Sequence, residues 1–135
     1  MISLGYIKMI RSILELAVPV WHPGISIGDS KKIERVQKCA LSIILGRQMK
    51  SYEDTLKYLK LDTLSKRREK LCLKFALKLE KNPKFTNWFV RNTNTHLRNP
   101  KKYIDPYART NKFHNSPILY LTRIMNNHYS EAQTR

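Results

Sequence analysis

With 135 residues and 26 lysines and arginines against 10 acids, this chain can bury one modest core, and its +16 charge opposes close self-association. A hydrophobic content of 41% excludes wholesale disorder. The charge ranks nucleic acid first among partners, an anionic membrane surface second and an acidic protein third.

The first predicted helix runs from Ser3 to Val18, with Ile7, Ile10, Ile13, Leu14 and Ala17 recurring at helical steps to make one apolar face. Lys8, Arg11 and Glu15 interrupt it, so neither a membrane span nor a signal peptide is expected there. Pro19 is expected to stop the helix, and the bend from Pro19 to Gly24 to be non-helical, with Trp21 plugging a corner of the core. Ser26 followed by Asp29 is a capping box for the second helix. On it Ile33, Val36, Ala40, Ile43 and Ile44 form an apolar stripe opposite Lys31, Arg35 and Lys38, and Gly46 is the C-terminal stop.

Ser51 with Asp54 repeats the capping signal for a short helix through Leu59, with Leu56 and Leu59 inward. After Asp62-Thr63 comes what reads as the longest element, Leu64 to Lys81, with Leu64, Leu71, Cys72, Phe75 and Leu79 on its inner face. Arg67, Lys70, Lys74, Lys78 and Lys81 gather on one flank and Glu69 and Glu80 on another. Mere solubility would interleave the signs. Asn82-Pro83 ends the helix, and Phe85, Trp88 and Phe89 follow as an aromatic turn. From Arg91 to Asn115 periodicity disappears, giving an irregular, mobile basic arm. Ser116-Pro117 opens a last short helix from Ile118 to Asn126. The expected fold is therefore all-α. A small bundle of four to five helices spans residues 1–90, and the arm with its terminal helix spans 91–135.

No chemical constellation stands out. The carboxylates are committed to caps (Asp29, Asp54), a helix start (Asp62) and helix surfaces (Glu34, Glu69, Glu80), with Asp105 alone in the arm. None is paired at the spacing that two-metal nucleotidyl transfer needs. Cys39 and Cys72 lack clustered partners, so no metal site is expected; both read as reduced, buried hydrophobes of an intracellular compartment, cytoplasm or nucleus. Neither cysteine has a histidine base nearby, since His22 lies in the bend and His96, His114 and His128 in or near the arm. No glycine-rich phosphate loop is present, and no cofactor or small-molecule substrate is expected.

Binding chemistry is better represented. A row such as Arg67, Lys70, Lys74, Lys78 and Lys81 can follow a phosphate backbone; a solvated helix face is the competing reading. In the arm, Arg91, Arg98, Lys101, Lys102, Arg109 and Lys112 alternate with Tyr103, Tyr107 and Phe113, as suits single-stranded or irregular nucleic acid. A disordered linker is the alternative there.

Several segments together resemble the region after the polymerase palm in reverse transcriptases of LINE-type, non-LTR retrotransposons. They are RSILELAVPVWHPG (11–24), IERVQKCALSIILG (33–46), LDTLSKRREKLCLKFA (61–76), NPKF (82–85), WF (88–89) and NSPILYLTR (115–123). Each is modest, but their order and spacing are specific, and they cover most of the chain. Leu16 departs from the pattern where the family carries an aromatic residue, and Cys39 where it carries a basic one. The resemblance implies a helical thumb and C-terminal extension, contact with template RNA or RNA–DNA duplex, and cooperation with a separate palm-containing chain. Because the palm carboxylates have no counterpart, it implies no catalysis by this chain alone. A surface on the first helix that docks a palm domain or another copy is the alternative function.

Overall fold

In the computed structural model, which describes residues 2–48, 51–94, 96 and 100–133, the chain is all-α. Its helices are α1 (Ile2–Leu14), α2 (Val18–Trp21), α3 (Ile27–Leu45), α4 (Tyr52–Tyr58), α5 (Leu64–Glu80), α6 (Asn111–His114) and α7 (Pro117–Gln133), with short 3-10 turns at His22–Gly24, Gly46–Gln48 and Pro83–Trp88. At 19 residues α3 exceeds the 17 of α5, so the longest element is not the one expected. Contacts divide the chain into two units, residues 1–18 with 25–69, and residues 19–24 with 70–135. This grouping follows packing rather than the change in composition at Arg91 behind the expected 1–90 and 91–135 division.

In the first unit, α3 begins as its capping box dictates. Ser26 Oγ accepts from the Asp29 amide at 3.1 Å, and Lys32 pairs with the Asp29 carboxylate at 2.8 Å. Gly46 ends the helix at φ +52°, in the left-handed region that glycine enters without a Cβ clash. The buried stripe differs from the expected one. Gln37 and Leu41 are buried while Val36 and Ile43 are exposed, and Cys39 is exposed too. The cause is polar. Gln37 Nε2 donates to the Tyr52 hydroxyl at 2.9 Å, and that hydroxyl donates to the Glu34 carboxylate, so a polar side chain can turn inward. Glu34 also accepts from the Leu64 amide at 3.2 Å, capping the start of α5. Leu41 and Leu56 centre the core, with Ala40, Ile44, Tyr52, Leu59 and Leu61 packed on them.

Helix α4 lacks the expected side-chain cap at Ser51; Thr55 Oγ1 donates back to the Ser51 carbonyl at 2.7 Å instead. Its other end is a Schellman motif, with the Leu61 amide on the Leu56 carbonyl at 2.8 Å and the Lys60 amide on Lys57 at 3.1 Å. Lys60 therefore sits at φ +53°.

Helix α1 ends at Leu14 rather than Val18, with Ala17 at φ +51° in the turn that follows. The apolar face assigned to it is largely outward: Ile10, Ile13 and Ala17 are exposed, and the Ile7 side chain lies outside the described residues. The helix buries Arg11, whose guanidinium donates to the Asp62 carbonyl at 3.0 Å and meets Glu15 at 3.5 Å.

In the second unit, Pro19 lies inside a helical turn, contrary to expectation. It occupies the first turn of α2, where a missing N–H leaves no bond unmade. His22 then stacks edge-on with Tyr120 of α7 at 5.5 Å. Helix α7 runs seven residues past the expected end at Asn126, because Asn126 is a buried bonding residue and not a stop. A further helix that the sequence pattern did not announce, α6, starts at Thr110, whose hydroxyl accepts from the Phe113 amide at 3.2 Å. Expected to be mobile, the arm is pinned near Tyr103. An antiparallel bridge pairs Arg91 with Tyr103, through Asn92 to Lys102 and Ile104 to Val90 bonds, both 2.9 Å. On the other side of Tyr103, the Asn126 amide accepts from its N–H at 2.9 Å and donates to its carbonyl at 3.0 Å. A side chain thus takes the place of a neighbouring strand.

Candidate nucleic-acid interface

The cationic row on α5 follows from helical geometry. At 100° per residue, Lys70, Lys74 and Lys78 fall within about 80° of arc and extend along about 12 Å of axis, and Lys81 follows in the turn directly after the helix. All four side chains are exposed. The opposite face of α5 buries Cys72, Ala76 and Leu79, which fixes the row outward. Leu71 is half-buried and Phe75 exposed, so that inner face is narrower than expected.

One acid of α5, Glu80, is drawn away from this row. Glu80 accepts from Lys102 at 2.9 Å, from the Tyr103 hydroxyl, and from the Tyr129 hydroxyl at 2.7 Å. Burial raises its carboxyl pKa, but the bonds from Tyr103, Lys102 and Tyr129 outweigh it and hold the group below its ordinary range. Burial likewise opposes charge on Lys102, yet its contacts with Tyr129 and Glu80 hold it above the usual lysine value. The ammonium also lies 3.4 Å from the centroid of the Tyr129 ring. Burial, with the Glu80 carboxylate beside it, pushes the Tyr103 phenol up to about 12.

The other site residues named from sequence separate into different roles. Arg67, in the first unit, is bonded to Glu15, so its charge is matched within the fold. Lys101 pairs with Asp105 at 3.6 Å. Lys102 locks the arm to Glu80. Arg109 is exposed in the bend before α6, where it stands apart from the lysine row in sequence and element. Lys70, Lys74 and Lys78 are thus the members that one helix brings together, with Lys81 in the turn after it.

Sequence reasoning missed the surroundings of Phe89. Phe85 and Trp88 meet edge-to-face at 5.0 Å, and Phe89 stacks obliquely on Tyr103 at 5.7 Å. Beside them lies a pocket of about 280 Å³ lined by Glu80, Thr86, Asn87, Phe89, Val90, Arg91 and Tyr103. The aromatic density was the one available signal; the bridge between two of the lining residues, Arg91 and Tyr103, had none.

Among the described residues, no group of three or more His, Cys, Asp and Glu side chains could hold a metal ion, and no helix is long and apolar enough to cross a membrane. Comparison with protein-family models, curated proteins and solved structures gave no match.

Proposed function

We propose that this chain holds nucleic acid, template RNA or RNA–DNA duplex, by phosphate contact, as the thumb-like, non-catalytic C-terminal part of a non-LTR reverse transcriptase. The observation that carries the binding role is the exposed row Lys70, Lys74, Lys78 and Lys81, beside which Glu80 is drawn away into bonds with Lys102, Tyr103 and Tyr129. A row of exposed ammonium groups along a helix neutralises phosphates and releases counterions, which gives salt-dependent, largely sequence-independent affinity. Lys101, Lys102 and Arg109 have lesser parts, since Lys101 is engaged by Asp105 and Lys102 by Glu80 of α5. The link to reverse transcriptases rests on the quoted sequence segments. A filter-binding titration against RNA, duplex DNA and hybrid at several salt concentrations tests the role. Lys74→Glu with Lys78→Glu is expected to weaken all three and to lower the salt slope by about 2. An unchanged slope removes the row from the interface.

One observation favours a second reading, a protein-docking surface. Met9 and Ile13 of α1, with Leu16 in the turn after it, are 71%, 73% and 74% exposed. Light scattering without nucleic acid separates the two: a concentration-dependent dimer abolished by Ile13→Glu supports docking between copies, and a monomer at all concentrations counts against it.

A further inference from the structure

Resting on the nucleic-acid reading above, we propose that the pocket beside Phe89 receives one unpaired nucleobase of a strand whose phosphates run along the α5 lysines. Its size, about 280 Å³, falls just below the roughly 300–1,000 Å³ of clefts that take drug-sized ligands, which suits a single planar heterocycle. Its walls have the matching chemistry. Phe89 and Tyr103 give an aromatic floor, Val90 an apolar rim, and the Asn87 amide has both a donor and an acceptor for the edge of a base.

The electrostatics agree. Glu80 would repel a strand if its charge stood alone, but Lys102 pairs with it and two phenols bond to it. That leaves Arg91, also in the lining, as the net charge of the pocket, placed to meet a phosphate or stack on a base. Trp88, 42% exposed and set edge-on against Phe85, offers a second ring outside the pocket for a neighbouring base. The site is held in place by the bridge between Arg91 and Tyr103 and by the Asn126 clamp on Tyr103.

The test uses the full chain and two probes. Adenosine and guanosine, which carry no phosphate, are titrated while backbone and Asn87 side-chain amide resonances are followed. Shifts confined to residues 86–91 and 103 are expected; they should vanish in Val90→Glu and persist in Val90→Ala. Absence of shifts with both nucleosides, or equal shifts in both variants, overturns the pocket. A twelve-nucleotide single strand with one central abasic site should bind about tenfold more weakly than the intact strand, the order that one stacked base contributes. Equal affinities count against the proposal. Lys74→Glu with Lys78→Glu should weaken the strand while leaving nucleoside shifts intact, so failure of the phosphate row and failure of the pocket give different results.

Discussion

Lys60 shows how a backbone motif can outrank a residue preference. The Schellman geometry at the end of α4 needs a left-handed residue, and lysine occupies it at φ +53° where glycine would rest without strain. Leu61 justifies the arrangement by packing on the core around Leu56. Lys60→Gly is expected to raise stability by about 0.5–1 kcal/mol, read as a higher Tm; a lower Tm would mean that the lysine stem contributes packing of its own. Glu80 is the other decisive residue. Its folded-state pKa is depressed below 4.5, so its stabilisation is complete above that value and fades as pH falls through the folded pKa. Tyr103 works at the opposite end. Its phenol is raised from 10.0 to about 12, so that contribution is lost as pH climbs between those values. Glu80→Gln should flatten the acid limb of a Tm against pH curve, and an unchanged limb would assign acid sensitivity to other carboxylates. None of this was visible in the sequence, where Glu80 read as one more surface acid, because its partners Lys102, Tyr103 and Tyr129 lie 22 to 49 positions away.

At the scale of elements, local signals were legible and pairings between elements were not. The capping box at Ser26, the glycine stop at Gly46 and the one-sided lysines of α5 all depend on neighbours a turn away, and all appear in the structure. The buried face of α3 was misplaced because Tyr52 and Glu34 make Gln37 an interior residue. Helix α1 was assigned an inward apolar face for the same kind of reason: Arg11 goes inside when the Asp62 carbonyl and Glu15 receive it. The end of α7 was missed because Asn126 has the composition of a stop and the position of a clamp. Asn126→Leu keeps the volume close and removes both bonds to Tyr103, leaving its buried N–H and C=O without side-chain partners. A loss of about 2–4 kcal/mol in denaturant unfolding is expected, about 1–3 kcal/mol for each of the two orphaned groups before relaxation; a loss under 0.5 kcal/mol would show that the clamp is dispensable.

Across the whole molecule, the all-α character follows from the helical spacing of apolar residues and the absence of alternating runs, so it was readable from residue order alone. The distribution of charge was only half readable. Composition shows the surplus of 26 cations over 10 acids, but not which cations the fold consumes. Arg11 and Arg68 are buried, Arg67 is matched by Glu15, and Lys101 and Lys102 by Asp105 and Glu80. Of the cations named as site residues from sequence, those of one helix, Lys70, Lys74 and Lys78, remain side by side at the surface. Binding should accordingly show a salt slope set by a handful of phosphates, about 3 to 4 for the four lysines on a duplex, rather than one that scales with the full surplus. A slope near 10 would point to a second cationic surface.

The side-chain amide that stands in for a strand has a dynamic corollary. Facing away from the bridge to Arg91, the Tyr103 amide proton should exchange with deuterium far more slowly than those of Lys101 or Tyr107, because it is freed only when Asn126 lets go. That proton would then serve as a clock for release of the Asn126 clamp, apart from the Ile104 amide that the bridge holds, running slow while the side chain is seated and fast once a strand or a substitution displaces it.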